Sequence, residues 1–305
     1  MIDLKKLSTS QLVEQWLREQ DINPVSRSTY RMAFRCYQKW IVTNGIPILQ
    51  VQPEHIVDFK RFLIDNKGSR TADLYFTVVR RFYKWLELRK VYPNICFGIH
   101  SPRKEKAFSR MPLSVDQVQN LLKGINRDDL KGKRDFAMIL LMVRTGLRSV
   151  EVSRMNAADI TTMNGANVLK IQAKGRTHKG TIVPVSENTL KPIREYLNDE
   201  MYYSDDAALF TTIRNGKRLE PDYIGLVIKR RMKAAGLTEK GFSSHSLRHT
   251  TADLLLRDNE SLFNVQQVLR HTNPGITSLY LRKLEMERMI QNPATKRLDD
   301  IIQID

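Results

Sequence analysis

Cysteine and long apolar stretches are both scarce in this sequence of 305 residues. Its two cysteines, Cys36 and Cys96, are too few for a disulfide framework and match no metal-ligand spacing. The longest uninterrupted apolar run, Phe136–Val143, is far shorter than the ~20 residues of a membrane-spanning helix. The first residues lack the apolar stretch and small-residue cleavage site of a secretory signal. We therefore expect a reduced, soluble protein of the cytoplasm.

Positive charge is in clear excess, with 50 lysines and arginines against 33 acidic residues and a formal net charge of +17. Such an excess favours a polyanionic partner, and nucleic acid is the commonest polyanion in a cell. The hydrophobic content of 41% is typical of globular proteins, and this length favours two domains over one. Both halves of the chain are basic, which indicates a ligand that contacts both of them and a nucleoid-associated location.

A polar, basic segment bounded by prolines, residues 101–111, predicts the boundary between the two domains. We expect a helical domain over residues 1–100 and a second domain over residues 112–305. The segment between them has the composition of an ordinary linker and equally that of a linker that contacts DNA phosphates. Its basic residues are Arg103, Lys104, Lys106 and Arg110.

Two long helices are predicted in the first domain, one from Ser26 to Asn44 and one from Ser69 to about Lys90. Each has apolar residues at helix spacing on one side and basic residues on another. Two basic faces of this kind suit the backbone of a DNA duplex, although a merely solvated face gives the same pattern. The residues that we expect to contact DNA are Arg27, Arg31, Arg35, Arg70, Thr77, Arg81 and Lys84.

The second domain is predicted to be mostly helical with a small antiparallel sheet. An apolar helix over Lys133–Thr145 would end at Gly146, because glycine is favoured just beyond a helix C-terminus. Residues 167–173 alternate in polarity and would pair with residues 181–185 as a β-hairpin. The same alternation would place Lys174 on the polar face of that hairpin.

Four short motifs in the second domain hold the residues suited to chemistry. Each motif alone is ordinary, since Arg148 followed by Glu151 is typical of an ion pair on a helix surface. His245 and His249 have the spacing of metal ligands, but Ser246 stands where a zinc protease has glutamate, so we predict no metal site. Together the motifs meet the needs of phosphodiester cleavage: a nucleophile, cations for the phosphoryl oxygens and an acid for the leaving oxygen.

The chemistry of each side chain fits one of those needs. Arginines bind phosphate oxygens in bidentate fashion, lysine and histidine transfer protons, and tyrosine can attack phosphorus and store the bond energy as an ester. Glu151, one turn after Arg148, would orient that guanidinium. The candidate catalytic residues are Arg148, Lys174, His245, Arg248, His271 and Tyr280.

The motifs Thr-Gly-Leu-Arg-x-x-Glu at 145–151 and His-x-Leu-Arg-His at 245–249, followed by His271 and Tyr280, resemble the tyrosine recombinase (phage integrase) family. The resemblance covers both domains, and the layout is similar to that of the small Xer recombinases. It implies a helical core-binding domain and a mixed α/β, mostly helical catalytic domain. It also implies cleavage by Tyr280 that leaves a 3′-phosphotyrosyl bond, strand exchange through a Holliday junction, and no cofactor.

The roles implied by this resemblance can be assigned residue by residue. Arg148 and Arg248 would hold the scissile phosphate, and Lys174 would protonate the leaving 5′ oxygen. His245 would act as acid and base, and His271 would bond a non-bridging oxygen. Each of these roles is carried over from the family motif that the residue matches.

Two positions qualify the match. The family usually has glycine before the last histidine, where this chain has Arg270, which puts the local turn in doubt and adds a possible phosphate or structural contact. Arg176 and Lys179 lie near Lys174 in the hairpin, so the cation that reaches the leaving oxygen is inferred from the Lys-Gly pattern.

The resemblance also implies the partners: double-stranded DNA with paired recombination sites, and further copies of the chain in a tetramer. The tail at 295–305 would dock on a neighbouring subunit or pack on its own chain. No arm-binding domain precedes the first helix, which argues against the larger phage integrases. Because Arg270 departs from the usual family pattern, we expect an integrase or resolvase of a mobile element. Xer-type resolution of chromosome or plasmid dimers, or DNA inversion, is the alternative. Type IB-like DNA relaxation and a non-catalytic accessory role in DNA binding fit less well.

Overall fold

The computed structural model describes residues 4–102, 111–173, 175–198, 206–239, 241–271 and 274–291. The chain forms two compact units, Met1–Ala107 and Phe108–Asp305, whose division lies in the segment that the sequence marks as a boundary. Several predicted contacts lie outside the described residues, namely Arg103, Lys104, Lys106, Arg110, Lys174 and the tail at 295–305. In the described part of the chain, no helix combines the length and the apolar content needed to cross a membrane.

The described part of the first unit is built on four helices, α1 (Thr9–Arg18), α2 (Pro24–Thr43), α3 (Pro53–Asn66) and α4 (Ser69–Leu88). Helix α2 begins two residues earlier than predicted, because the Asn23 side chain accepts a hydrogen bond from the Ser26 N–H and a proline fits the first helical position. The apolar faces of the helices meet in an aromatic core. Its largest fully buried side chains include Trp16, Phe34, Tyr37, Phe59, Phe76, Phe82 and Tyr83.

The second unit combines helices with a small sheet. Its first elements are α5 (Val115–Lys123), α6 (Leu130–Thr145), α7 (Ser149–Ser153), β1 (Ile160–Met163), β2 (Ala166–Ile171) and β3 (Thr181–Pro184). The later elements are α8 (Glu187–Asn198), α9 (Pro221–Ala234), α10 (Ser244–Arg257), α11 (Leu262–Leu269) and α12 (Pro274–Gln291). The predicted fold class, mainly helical with a small antiparallel sheet, is confirmed.

The described sheet has three strands in the order β1-β2-β3, all antiparallel. The predicted hairpin of β2 and β3 is present, with Leu169 opposite Val183. On the other edge of β2, Leu169 lies opposite Ile160 of β1. Strand β1 was not predicted. Strand β2 ends at Ile171, two residues before the predicted end at residue 173. Lys174 lies outside the described residues, so its predicted place on the polar face stays a prediction.

Helix α6 is the buried centre of the second unit. It begins three residues earlier than predicted because the Asp129 carboxylate accepts a hydrogen bond from the Gly132 N–H at 2.6 Å. It ends as predicted at Gly146, which adopts a left-handed conformation with φ of +61°. A smaller apolar cluster lies where α10, α11 and α12 meet, and it includes Leu256, Leu269 and Tyr280.

Candidate active site

The turn between α6 and α7 presents Arg148. The left-handed Gly146 reverses the chain, and Arg148 follows two residues later at the N-cap of α7. Its backbone N–H donates to Oε2 of Glu151 at 2.9 Å, and its Nη1 donates to Oε1 of the same carboxylate, also at 2.9 Å. Glu151 therefore orients the guanidinium, while 24% of the Arg148 side chain remains exposed for a ligand.

The carboxylate of Glu151 is completely buried yet remains the anion of the cluster. Burial alone would raise its pKa, but Arg270, the backbone N–H of Arg148 and the Arg148 guanidinium outweigh it and hold the pKa below its ordinary value. Nη2 of Arg270 lies 3.4 Å from Oε2. One buried anion is thus shared between two guanidinium groups.

Arg248 comes from the second turn of α10 and is 5% exposed. Its Nη1 donates to the carbonyl of Gly146 at 2.5 Å, and its Nη2 donates to the carbonyl of Leu269. Burial, followed by the charges of Arg148 and Arg270, lowers its pKa to about 9, so Arg248 is still protonated at neutral pH. This arginine therefore ties the turn that carries Arg148 to the end of α11.

His271 follows α11 and is half-buried. Its Nδ1 lies 2.8 Å from the hydroxyl of Thr277 on α12. Burial, then the charges of Arg248 and Arg148, lower its pKa to about 4, so the imidazole is neutral at physiological pH. When the Thr277 hydroxyl donates to Nδ1, the ring proton is on Nε2, where it can be donated to a phosphate oxygen.

Tyr280 lies on α12 and is only 7% exposed, within the small cluster of α10, α11 and α12. Its hydroxyl is hydrogen bonded to Nδ1 of His249. Burial raises the pKa of Tyr280 to about 12, whereas Arg248 and Arg148 act in the opposite direction. His249 was not among the predicted catalytic residues. The signal was its place in the His-x-Leu-Arg-His motif, which supported the family resemblance without a catalytic role for His249.

Of the two remaining predicted catalytic residues, Lys174 lies outside the described residues and His245 lies on α10. His245 is exposed in the first turn of α10, whereas Arg248 is buried, so their shared helical spacing does not give them the same environment. Neither His245 nor His249 belongs to a group of three or more possible metal ligands within the described residues. In the hairpin, Lys179 forms an ion pair with Asp159 at 2.5 Å, while Arg176 is exposed.

The predicted DNA-contacting side chains of the first unit lie on α2 and α4. Arg81 of α4 donates to the hydroxyl of Tyr30 on α2 and lies 5.6 Å from its ring centroid, which brings the two basic faces together. Arg31 is engaged by both carboxylate oxygens of Glu14, at 2.7 and 2.8 Å. Arg35, Arg70 and Lys84 are exposed, and Arg27 and Thr77 are half-buried.

Comparisons with known proteins identify the family of this chain. The phage integrase family matches residues 112–287. Tyrosine recombinase XerD of Proteus mirabilis is 30% identical over 276 residues, which cover 87% of this chain and 84% of XerD. Tyrosine recombinase XerC of Azotobacter vinelandii is 30% identical over 226 residues, 72% of each chain.

A solved structure supports the fold. The XerH site-specific recombinase bound to its palindromic difH substrate, in a post-cleavage complex, matches with a TM-score of 0.75 at 21% identity. The match covers 93% of this chain and 85% of XerH. The family match includes all the motifs that surround Tyr280. The chain therefore belongs to the phage integrase family and is a tyrosine recombinase, an enzyme that cleaves and rejoins DNA.

Proposed function

We propose that this protein is a site-specific recombinase whose nucleophile is Tyr280. The observation that carries this proposal is a set of hydrogen bonds that joins the four segments holding Arg148, Arg248, His271 and Tyr280. Arg248 of α10 donates to the carbonyls of Gly146 and Leu269, each two residues before one of these side chains, and His249 of α10 binds the Tyr280 hydroxyl. These bonds gather a hydroxyl, a neutral imidazole and two guanidinium groups. This is the donor set that a five-coordinate phosphate with growing negative charge requires.

The chemical step exchanges one phosphodiester for another. The Tyr280 oxygen bonds to phosphorus, the bond from phosphorus to the 5′ oxygen breaks, and a 3′-phosphotyrosyl ester remains. The phenolic proton passes to His245 as base, and Lys174 supplies a proton to the leaving 5′ oxygen. Attack by an incoming 5′-hydroxyl reverses these transfers and restores the DNA, so no external energy source is needed.

The charged groups of the site favour this step once DNA is bound. Arg148 and Arg248 stabilise both the phenolate and the phosphoryl oxygens, because both guanidinium groups favour the ionised form of Tyr280. His271 donates a hydrogen bond without adding another full charge to a cluster that already holds three arginines. The basic faces of α2 and α4, with the segment at 101–111, would hold the flanking duplex.

A nicked suicide duplex tests the assignment of the nucleophile. The wild-type protein should form a covalent adduct that survives denaturing electrophoresis, and Tyr280→Phe should form none while still binding the duplex. Tyr223→Phe is the matched control, because Tyr223 is an exposed tyrosine of the same unit. An adduct formed by Tyr280→Phe would show that another residue attacks phosphorus.

The partners in the reaction would be paired sites on double-stranded DNA and further copies of the chain. We propose a tetramer that exchanges strands through a Holliday junction, acting in the nucleoid. Conversion of a two-site plasmid into two circles would separate recombination from type IB-like relaxation, which leaves one circle with altered supercoiling.

For the biological role we propose integration or resolution of a mobile element. The second candidate is resolution of chromosome or plasmid dimers, which is supported by relatives named XerD and XerC at 30% identity. Inverted repeats of about a dozen bases next to the coding region, with recombination between them and an unlinked target, would support the element role. Recombination confined to two copies of one chromosomal site would support dimer resolution.

A further inference from the structure

Arg270 occupies a backbone position that favours glycine. It ends α11 with φ of +54° and ψ of +44°. This left-handed conformation is unfavourable for residues that have a Cβ atom. A glycine here would adopt the turn without strain. The retention of a long basic side chain at such a position points to a role for the side chain itself.

The guanidinium of Arg270 bridges two separate parts of the site. Its Nη1 donates to the carbonyls of Val268 and Thr145, at 2.6 and 3.2 Å. Its Nη2 donates to the carbonyl of Gly146 at 3.1 Å and approaches Glu151 at 3.4 Å. The side chain therefore joins the end of α11, which leads to His271, to the turn that leads to Arg148.

The terminal N–H groups of Arg270 are all directed to protein acceptors. Two contacts on each of the two terminal nitrogens use the four hydrogens that they carry. Its remaining donor, Nε, is buried and has no acceptor within the described residues. Arg148 differs from Arg270. Within the described part of the chain its guanidinium forms one hydrogen bond, from Nη1 to Glu151, and its side chain is partly exposed. Arg148 is thus free to bind a phosphate, and Arg270 is arranged to act through its neighbours.

We propose that Arg270 is a positioning residue that fixes Arg148 for transition-state binding by anchoring the Gly146 turn and Glu151. This inference rests on the proposed function, since it assigns a role within that site. Arg248 contacts the same Gly146 carbonyl, so the two arginines clamp one peptide from two sides. Glycine at 270 would keep the turn but remove one of the two arginines from the Gly146 carbonyl, and Glu151 would lose its second guanidinium partner.

The test measures the single-turnover rate of adduct formation on the nicked suicide duplex, at a protein concentration well above the dissociation constant for that duplex. We expect Arg270→Gly to lower the rate by about ten- to a hundredfold, because small misplacements of charge-stabilising groups have effects of this size. Its affinity for the duplex should stay close to that of the wild type, because Arg270 donates to protein acceptors and not to DNA. Its thermal midpoint should fall, because Glu151 and the Gly146 carbonyl lose a donor, so rates are compared at a temperature at which both proteins are folded. Guanidinium ion at non-denaturing concentration should restore part of the rate.

Three comparisons keep the result interpretable. Arg127→Ala, which removes a surface arginine of the same unit, should form adduct at the wild-type rate. Arg270→Lys should be less active than Arg270→Gly rescued with guanidinium ion, because one ammonium group cannot bridge the end of α11 and the Gly146 turn. A wild-type rate for Arg270→Gly, or a loss of rate that guanidinium does not relieve, would overturn the positioning role. Loss of duplex affinity in step with rate would instead place Arg270 on the phosphate. Failure of the wild type itself to form an adduct would refute the proposed function.

Discussion

The hydroxyl of Tyr280 is hydrogen bonded to Nδ1 of His249, and this bond connects α12 to α10. The two rings are 5.1 Å apart at their centroids, and the tyrosine is almost entirely buried. Burial raises the pKa of this phenol to about 12, and its hydroxyl is held on α10 by the His249 ring. We propose that His249 restrains the nucleophile through this hydrogen bond.

We predict that His249→Phe loosens α12 and leaves the chemistry in place. Phenylalanine preserves a ring but offers no acceptor, so the buried hydroxyl loses its partner at a cost of about 1–2 kcal/mol. Amide hydrogen exchange in α12 should become about tenfold faster, since each 1.4 kcal/mol corresponds to a factor of ten. Adduct formation on the suicide duplex should stay within about tenfold of the wild-type rate, because Arg148, Arg248 and His271 remain.

The exchange of α6 amides serves as the internal control, because that buried helix does not depend on the Tyr280 contact. If His249→Phe eliminated the adduct as completely as Tyr280→Phe, then His249 would take part in proton transfer, and its description as a restraint would be wrong.

A second prediction concerns Gly146, whose carbonyl binds both Arg248 and Arg270. Its φ is positive, and an added Cβ would lie 2.7 Å from Cδ2 of Leu269. Gly146→Ala should therefore lower the free energy of unfolding by about 2–3 kcal/mol, from backbone strain and overpacking combined. Adduct formation should fall at least about tenfold, because the shared carbonyl moves.

Gly165 provides the matched control, since its φ of +77° is also positive but a Cβ there would meet nothing within 4 Å. Gly165→Ala should cost only the backbone term of about 1 kcal/mol and leave the cleavage rate unchanged. Equal losses of activity in the two variants would mean that the Gly146 carbonyl does not organise the site.

Local patterns in the sequence predicted much of the fold. The apolar periodicity of α2, α4 and α6 predicted these helices, and the glycine at 146 predicted the end of α6. The helix starts were placed two or three residues too late for α2 and α6, because Asn23 and Asp129 act as caps through single hydrogen bonds that periodicity does not show. Strand β1 lacks clear alternation and forms through its pairing with β2.

The site could be predicted as a set of residues but not as a network. Arg148 with Glu151 is a local motif, so its ion pair was predictable from spacing of three residues. The clamp on Gly146 joins residues more than 100 positions apart, and the pairing of Tyr280 with His249 joins two helices. Such contacts depend on how α10, α11 and α12 pack, which no local pattern encodes.

A third prediction separates two arginines on the same face of α2. Arg35 is exposed and forms no ion pair within the described part of the chain, whereas Arg31 is held by both oxygens of Glu14. Arg35→Ala should reduce the slope of log affinity against log salt by about 0.9, the value for one phosphate contact on duplex DNA. Arg31→Ala should change the slope less, because its charge is already paired.

Glu14→Gln extends this comparison, because it releases Arg31 from its ion pair. This variant should bind the duplex more tightly, and its affinity should depend more steeply on salt. Arg89→Ala is the control, since Arg89 pairs with Glu19 at 2.5 Å beyond the end of α4. Fluorescence anisotropy titrations between about 50 and 200 mM salt give the slopes. A larger effect of Arg31→Ala than of Arg35→Ala would show that Arg31 leaves Glu14 to contact DNA.

A fourth prediction follows from the low pKa of His271. The folded protein binds a proton there only near pH 4, whereas the unfolded chain does so near the ordinary value of 6.5. Between these values the unfolded state binds more protons, so stability is full above about pH 6.5 and is lost as the pH falls toward 4. His271 alone should lower the free energy of unfolding by about 1–2 kcal/mol between pH 7 and pH 5.

His271→Asn removes the titrating group and should make the catalytic unit less sensitive to acid by that amount. Urea unfolding at the two pH values, followed by circular dichroism, measures the difference between variant and wild type. The three tryptophans, Trp16, Trp40 and Trp85, all lie in the first unit, so their fluorescence reports a transition that the substitution should leave unchanged. An identical pH dependence in both proteins would mean that His271 keeps an ordinary pKa in the folded protein.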